Sequence, residues 1–329
     1  MKTNGRKMAQ FIRVSVIGLS AITLMAATAY AEFTPKKPVE LVVMAGQGGG
    51  AGKLSRLIQS IITKNKFSKQ PIVPSYKPGG SGAEALRYLQ GKSGDAHTVM
   101  MTLNSYFTTP LRQPDLKVDI AEFTPVARLA LDTFVLWVHK DSGITDLNGY
   151  IAAVKKDGKN WIMGGTGKAQ EDELLTAMLQ SQFGIKMSYT PFKGGGTVAK
   201  NLAGKHLHST VNNPSEALGW YEAKKVVPLA AFTQKRLGAL PDTPTFEELG
   251  HKGMDYFMQR SIVAPPKQPK DATAYYVGVF KKVSDSKEWQ DYVAKKALFP
   301  DFLTGDELQK FFLAERDKHR TMLKKIGEL

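Results

Sequence analysis

The 329-residue chain contains no cysteine. This absence excludes a disulfide framework, a thiolate metal site, a cysteine nucleophile and a lipid anchor on cysteine. Histidine is scarce, and of the six only His206 and His208 lie close together, with no third ligand evident beside them. The sequence therefore predicts no metal site.

Long apolar runs are also lacking, apart from one near the N-terminus. Residues 1–13 are basic, residues 14–29 are apolar, and Ala29-Tyr30-Ala31 has the small-x-small pattern of a cleavage site. The apolar stretch is shorter than the ~20 residues that a spanning helix needs. We therefore expect residues 1–31 to be a cleaved signal peptide and the mature protein to be free in the periplasm, without a lipid anchor.

No dense basic run accompanies the formal net charge of +15. A positive excess is compatible with nucleic acid, a membrane surface or a small anionic ligand as partner. Because the positive residues are not grouped with aromatic ones, the sequence argues against nucleic-acid binding. Apolar residues make up 42% and charged residues 23% of the chain, as in ordinary globular proteins. The length suffices for two domains.

Short β-branched runs alternate with amphipathic helical segments, which predicts an α/β fold. Glycine-rich loops recur where a strand runs into a helix, at GGGAGK, PGGSG, GGTGK and KGGG. Ligands of open α/β sheets bind at this edge. Two S/T-x-x-E patterns, starting at Thr245 and Thr304, have the spacing of capping boxes.

The first glycine loop does not match a nucleotide site well. A P-loop in register with Gly52-Lys53 would need glycine at Gln47 and a hydroxyl at Leu54. The dinucleotide pattern G-x-G-x-x-G/A fits Gly46 to Ala51, but no acid lies between Glu40 and Glu84 to bind a ribose. We therefore predict no nucleotide cofactor, and no other cofactor.

Helix N-termini bind anions through free N–H groups and the helix dipole, so the repeated loops predict an anion site. An anion would also offset the unfavourable positions of Lys53 and Lys168 near such helix starts. No catalytic motif is complete, since Gly79 to Ala83 fails the last position of G-x-S-x-G and H-E-x-x-H is absent. The acidic run Glu171-Asp172-Glu173 is interpreted as stabilising a helix dipole. We therefore predict a binding protein and not an enzyme.

The chain resembles the periplasmic receptors of tripartite tricarboxylate transporters, the Bug family, over nearly all of its mature length. The family motif PGG-x-x-D-x-x-x-R is echoed by residues 48–56, and N-x-x-G-A-G-G by residues 77–83. The family's Y-K-G loop appears as Phe192-Lys193-Gly194, and R-x-x-x-L-P-D-V-P-T is echoed from Arg236 to Thr245.

The resemblance implies a two-lobed α/β binding protein, similar to type II periplasmic receptors, whose lobes are joined by crossing strands and close like a flytrap. Lobe 1 would comprise 32–135 and 258–329, and lobe 2 would comprise 136–257. Loops of both lobes would hold a small carboxylate through backbone amides and ordered water. Carried onto this chain, the binding residues would be Gly49, Gly50, Ala51, Gly52, Ser81, Asn104, Ser105, Gly165, Thr166, Gly167, Lys168 and Asn212.

Two departures from the family pattern affect the expected ligand. The aspartate after PGG is replaced by Gly52, and the acid of the G-G-x-V-D strand is replaced by His208. We therefore expect a di- or tricarboxylate or an aromatic acid, without an ammonium group. The expected partners are the ligand and membrane permease subunits, with a monomeric receptor. A carboxylate-sensing subunit, an exported enzyme and a polyanion-binding protein remain alternatives.

Overall fold

The computed structural model describes residues 33–329. Short apolar runs of the sequence form the strands of this part. The predicted signal peptide lies outside these residues. Within the described part, no helix combines the length and the apolar character that a membrane crossing requires.

Eleven strands and ten α-helices follow one another along residues 33–329. The strands are β1 (Val39–Val43), β2 (Ile72–Tyr76), β3 (Thr98–Met101), β4 (Thr124–Thr133), β5 (Val135–His139), β6 (Ile162–Thr166), β7 (Ser188–Phe192), β8 (Ser209–Thr210), β9 (Val226–Ala231), β10 (Phe257–Ala264) and β11 (Phe299–Leu303). The helices are α1 (Gly50–Lys64), α2 (Ala83–Gln90), α3 (Ser105–Arg112), α4 (Leu147–Asp157), α5 (Glu171–Phe183), α6 (Gly195–Ala203), α7 (Pro214–Glu222), α8 (Lys270–Asp285), α9 (Lys287–Lys295) and α10 (Gly305–Lys325).

Two sheets organise the chain. The six-stranded sheet has the order β11-β4-β10-β3-β1-β2, with β1 parallel to β2 and β3 and the other pairs antiparallel. The five-stranded sheet has the order β7-β6-β8-β5-β9, with β6 parallel to β7 and β8. We refer to the six-stranded sheet and its helices as the first lobe, and to the five-stranded sheet and its helices as the second lobe.

The chain passes between the lobes through three hydrogen-bonded segments. Phe134 alone separates β4 from β5, and Phe232 follows β9. The Phe232 amide donates to the Phe134 carbonyl at 3.0 Å, and the Tyr256 amide donates to the Phe232 carbonyl at 3.0 Å. All three side chains are buried. The apolar stretch from Val126 to His139 thus holds both a buried strand and a crossing between lobes.

Packing follows the apolar periodicity of the sequence. Helix α1 buries Leu54, Ile58 and Ile61 against the first sheet, because residues three and four apart share one helix face. Strands β1 and β3 are almost wholly buried, since helices cover both faces of the parallel part of the sheet. Helices α1, α2 and α3 follow β1, β2 and β3 in the chain, so they begin near the carboxyl ends of these parallel strands.

Candidate functional site

A cavity of about 470 Å³ lies between the two lobes. Its walls come from segments that follow the parallel strands, which is where open α/β sheets bind ligands. The lining residues from the first lobe include Ala45, Gly49, Gly50, Ala51, Pro78, Gly79, Gly80, Ser81, Met258 and Arg260. Those from the second lobe include Thr166, Gly167, Gln170, Glu171, Asp172, Phe192, Lys193, Gly194, Gly195, Asn213 and Glu216.

The first glycine loop presents the start of α1 to this cavity. Gly49 is the N-cap residue, and the first turn of α1 has no acidic residue. The amide of Gly50 donates to Glu216 Oε1 at 2.9 Å, whereas the amide of Ala51 has no acceptor among residues 33–329. A free N–H at a helix start is suited to an anion.

A steric contact explains why glycine stands at position 52, where the family pattern has aspartate. A Cβ atom at this position would run into the carbonyl oxygen of Gln47 in the preceding loop. The loop therefore has no room for the aspartate that the family pattern places there.

The glycine loops of the two lobes touch across the cleft. A Cβ atom added to Gly196 would lie 2.5 Å from the carbonyl oxygen of Gly48. The side chain of Lys53 also crosses the cleft and donates to the carbonyl of Ser215 at 3.2 Å. Glycine at 196 thus allows the close approach of the two backbones, and Lys53 helps to join the lobes.

Three carboxyl groups of the second lobe line the cavity, and each accepts a backbone hydrogen bond. Glu171 accepts from the Ser105 amide at 3.1 Å, and Asp172 accepts from the Thr166 amide at 2.7 Å. Glu216 accepts from Gly50 and also from Asn212 Nδ2, the latter at 2.9 Å. Burial raises the pKa of all three carboxyl groups.

One buried ion pair supports the first-lobe wall. Arg260 Nε lies 3.1 Å from Asp132 Oδ2, and Arg260 Nη2 binds the same oxygen. Both side chains are 2% exposed. Arg260 Nη1 has no acceptor among the described residues, and Arg260 lines the cavity. The guanidinium can therefore keep its bond to Asp132 and still donate to a ligand.

The predicted binding residues fall into two groups. Those that line the cavity are Gly49, Gly50, Ala51, Ser81, Thr166 and Gly167. Those that do not line it are Gly52, Asn104, Ser105, Gly165, Lys168 and Asn212.

The two asparagines of the second group hold other parts of the protein in place. The Asn104 side chain donates to the Tyr256 hydroxyl at 3.0 Å and to the Phe257 carbonyl at 2.8 Å. Asn212 orients Glu216 through the bond described above. Neither asparagine is among the residues that line this cavity, so a direct role for them in ligand binding stays a prediction.

The other four positions, Gly52, Ser105, Gly165 and Lys168, make local contacts outside the cavity lining. The Ser105 amide donates to Glu171, and the Ser105 hydroxyl is buried without a hydrogen-bond partner among the described residues. The Lys168 side chain is largely exposed, and its Nζ lies 3.8 Å from Glu328 Oε1. A Cβ atom added to Gly165 would collide with Tyr189 and Asp172, and one added to Gly52 would collide with the backbone of Gln47.

Histidine 208, the second departure from the family pattern, has a structural role. Its Nδ1 accepts from the Ile162 amide at 2.9 Å, and its ring lies 4.9 Å from that of Trp161. Over residues 33–329, no three histidine or acidic side chains are arranged to hold a metal ion.

Sequence reasoning missed the charged residues of the cavity. Glu171 and Asp172 were interpreted only as dipole partners, but their carboxyls face the cavity and the Ser105 and Thr166 amides. A signal for Arg260 and Asp132 was present, because each interrupts an apolar strand where an unpaired charge would be costly. Glu216 lies 166 residues from Gly50 in sequence, and no local pattern indicates that pairing.

Comparison with known proteins shows which family the sequence matches. Residues 54–328 match the sequence model described as tripartite tricarboxylate transporter family receptor. The chain is 25% identical over 313 residues to "UPF0065 protein in gbd 5'region" of Cupriavidus necator, a match that covers 95% of this chain and 94% of the relative.

Two solved structures share the fold. The periplasmic binding protein BugD has a TM-score of 0.82 at 19% identity, with 89% of this chain and 98% of BugD covered. The R. palustris protein Rpa4515, solved with adipate, has a TM-score of 0.81 at 23% identity, with 89% of this chain and 98% of Rpa4515 covered.

Proposed function

The chain belongs to the receptors of the tripartite tricarboxylate transporter family, and from this premise we propose that it captures a small carboxylate in the cavity between its lobes. The expected ligand is a di- or tricarboxylate or an aromatic acid, which the receptor delivers to membrane permease subunits. The mature protein would be a periplasmic monomer without a lipid anchor, released by cleavage after Ala31. As a receptor, it would have no catalytic activity.

One observation carries this proposal. Ala51, whose amide is unpaired among residues 33–329, and Arg260 line the same cavity from the first lobe, and Thr166 and Gly167 line it from the second lobe. Backbone N–H groups and an arginine donor suit a carboxylate. The adipate bound to the related fold of Rpa4515 is consistent with a ligand of this class.

The two lobes would act together on the ligand. We propose that lobe 1 comprises 32–135 and 258–329 and that lobe 2 comprises 136–257, with the crossing segments at Phe134, Phe232 and Tyr256 as the hinge. A ligand that contacts both lobes binds the closed form better than the open form, so it shifts the population toward closure. The closed form would be the one that docks on the permease.

Thermal unfolding of the ligand-stripped mature protein tests this function. We expect at least one acid from a panel of di-, tri- and aromatic carboxylates to stabilise the fold by about 2.7 kcal/mol at 100 times its Kd. Amines and sugars of similar size serve as controls. A protein whose melting responds to no carboxylate, but which binds a polyanion or turns over a substrate, would contradict the proposal.

A further inference from the structure

One edge of the second sheet carries a lysine at every strand. The strands run in the order β7-β6-β8-β5-β9, with β6 parallel to β7 and β8 and with β5 antiparallel to β8 and β9. The starts of β6, β7, β8 and β9 and the end of β5 therefore share one edge. In sheet order, the lysines nearest in sequence to these strand ends are Lys186, Lys159, Lys205, Lys140 and Lys225. We refer to these five residues as the lysine row.

Two contacts show that the chain segments of the row are neighbours in space. The Lys140 amide donates to the Lys225 carbonyl at 3.0 Å, beside the ends of β5 and β9. The Ser188 hydroxyl, at the start of β7, donates to the Lys159 carbonyl at 2.6 Å. Because neighbouring strands lie about 4.8 Å apart, the row extends over roughly 20 Å.

The lysine row is exposed, and little acidic charge compensates it. All five residues are exposed, and within residues 33–329 only Lys205 of the row forms an ion pair, with Asp141 at 2.5 Å. Segments 139–146, 155–160, 184–187, 204–208 and 222–225 form this edge and contain eight lysines and four acidic residues. The acidic residues are Asp141, Asp146, Asp157 and Glu222. The edge therefore has a net positive charge.

The lysine row lies at the opposite edge of the sheet from the cavity. Thr166 and Phe192, which end β6 and β7, line the cavity. Strand β6 has five residues, so the two edges are roughly 16 Å apart. This separation exceeds the Debye length of about 8 Å at physiological ionic strength. The row is therefore a separate surface, whose charge acts little on a ligand in the cavity.

An exposed aromatic side chain accompanies the row. Tyr221 is 37% exposed and is the one aromatic residue of the described part of the chain that is exposed. Its carbonyl accepts from the Lys224 amide at 2.8 Å, directly before Lys225. Tyrosine combines an apolar ring with a polar hydroxyl, which suits the boundary between lipid headgroups and acyl chains.

We propose that the lysine row, together with Tyr221, binds the surface of an anionic phospholipid bilayer. Lysine is a strongly hydrated charge on a flexible stem, so a row of lysines can follow mobile lipid phosphates without a fixed geometry. Protein–protein interfaces, in contrast, are depleted in lysine relative to the rest of the surface. The contact holds the protein at a membrane and leaves the cavity free, so this inference goes beyond the proposed function and does not depend on the ligand.

Co-sedimentation of the mature protein with lipid vesicles tests this surface. We expect at least tenfold stronger binding to vesicles of equal parts phosphatidylglycerol and phosphatidylcholine than to vesicles of phosphatidylcholine alone. Salt at ~1 M, which shortens the Debye length to about 3 Å, should abolish the difference. Equal binding to the two vesicles, or no binding to either, overturns the inference. Binding to poly-glutamate but not to the anionic vesicles also overturns it, because the row would then fit an acidic protein.

A triple variant locates the effect. Lys159→Gln, Lys186→Gln and Lys225→Gln together remove three charges of the row. Because each lysine near an anionic membrane contributes about a fivefold gain in partitioning, we expect at least tenfold weaker binding to the anionic vesicles. The melting temperature and the Kd for the carboxylate should stay at the wild-type values, which separates this surface from the proposed function.

A second triple variant controls for net charge. Lys282→Gln, Lys295→Gln and Lys310→Gln remove the same charge at exposed positions on α8, α9 and α10 of the first lobe. This variant should bind the anionic vesicles within threefold of the wild type. Equal losses in the two variants would show that net charge alone acts, and would overturn the inference. The lipid and salt dependence of the unmodified protein decides the matter even if a variant fails to fold.

Discussion

The carboxylate of Glu216 accepts a hydrogen bond of 2.9 Å from the amide of Gly50, across the cleft between the lobes. Glu216 lies in the first turn of α7 in the second lobe, whereas Gly50 begins α1 in the first lobe. The protein's own carboxylate thus occupies part of the anion-binding start of α1. This contact joins the lobes and places a negative charge beside the proposed ligand.

Replacing Glu216 by glutamine should strengthen the binding of a dicarboxylate. The glutamine oxygen can still accept from Gly50, but the repulsion between two carboxylates is lost. We expect at least a threefold lower Kd for succinate by calorimetry. The lost acceptor for Asn212 should lower the free energy of unfolding by about 1 kcal/mol.

Glu222→Gln provides the control for this variant, because Glu222 ends the same helix and is exposed. Its Kd should stay at the wild-type value. Weaker succinate binding in Glu216→Gln would show that Glu216 assists the ligand instead of repelling it.

Gly196→Ala should hinder lobe closure without harming the second lobe. An added Cβ would lie 2.5 Å from the carbonyl oxygen of Gly48, while alanine in a helix is favoured over glycine by up to about 1 kcal/mol. We expect the affinity for the carboxylate to fall at least tenfold, with unfolding stability equal or higher. X-ray scattering should show no compaction on ligand addition.

The matched substitution is Gly219→Ala in α7, where an added Cβ meets nothing within 4 Å. This variant should bind and compact like the wild type. Normal affinity in Gly196→Ala would mean that closure does not bring the two glycine loops into contact.

Asp132→Ala should destabilise the protein strongly. Removing one partner of a buried ion pair leaves the Arg260 charge uncompensated, which typically costs about 3–5 kcal/mol. Urea unfolding measures the effect. Asp291→Ala is the comparison, because Asp291 pairs with Lys287 at an exposed site and such pairs contribute about 0.5 kcal/mol or less. Equal losses in the two variants would contradict the structural importance of the buried pair.

His319 should make the fold sensitive to mild acid. Its Nδ1 lies 2.7 Å from the Glu315 carbonyl and its Nε2 lies 2.9 Å from the Tyr256 hydroxyl. Burial lowers the pKa of His319 to about 4, whereas an unfolded histidine titrates near ~6.5. Because the unfolded chain gains the proton first, this contribution to stability is present above pH ~6.5 and is lost as the pH falls toward about 4.

Urea unfolding at pH 7 and pH 5 checks this linkage. Between these values the wild type should lose about 2 kcal/mol more than His319→Gln, which cannot take up the proton. His206→Gln, at an exposed histidine, should behave like the wild type. The same pH dependence in His319→Gln and the wild type would contradict the assignment.

Local sequence patterns predicted much of the fold. The glycine loops follow strands as predicted, and the alternation of strands and helices is that of an α/β fold. The capping-box spacing had mixed results: Thr245 and Glu248 exchange hydrogen bonds around a turn, whereas the Thr304 side chain makes no capping bond at the start of α10.

The polar chemistry of the cavity was less predictable because it depends on contacts between distant residues. Glu171 and Ser105 meet only when the lobes approach, and the pairing of Asp132 with Arg260 requires β4 beside β10. Short-range periodicity predicts which residues are buried, but it does not predict which buried polar groups form hydrogen bonds or ion pairs with one another. The sequence therefore revealed the glycine loops but not the cavity-lining carboxyl groups of Glu171, Asp172 and Glu216.

A crystal structure of the mature protein with the carboxylate that stabilises it most is the most direct test of the account. We expect one carboxylate group about 3 Å from the Ala51 amide or Arg260 Nη1 in the first lobe, with the same ligand also bonded to the Thr166–Asp172 segment of the second lobe. A ligand bound outside this cavity, or held by one lobe alone, would contradict the central claim.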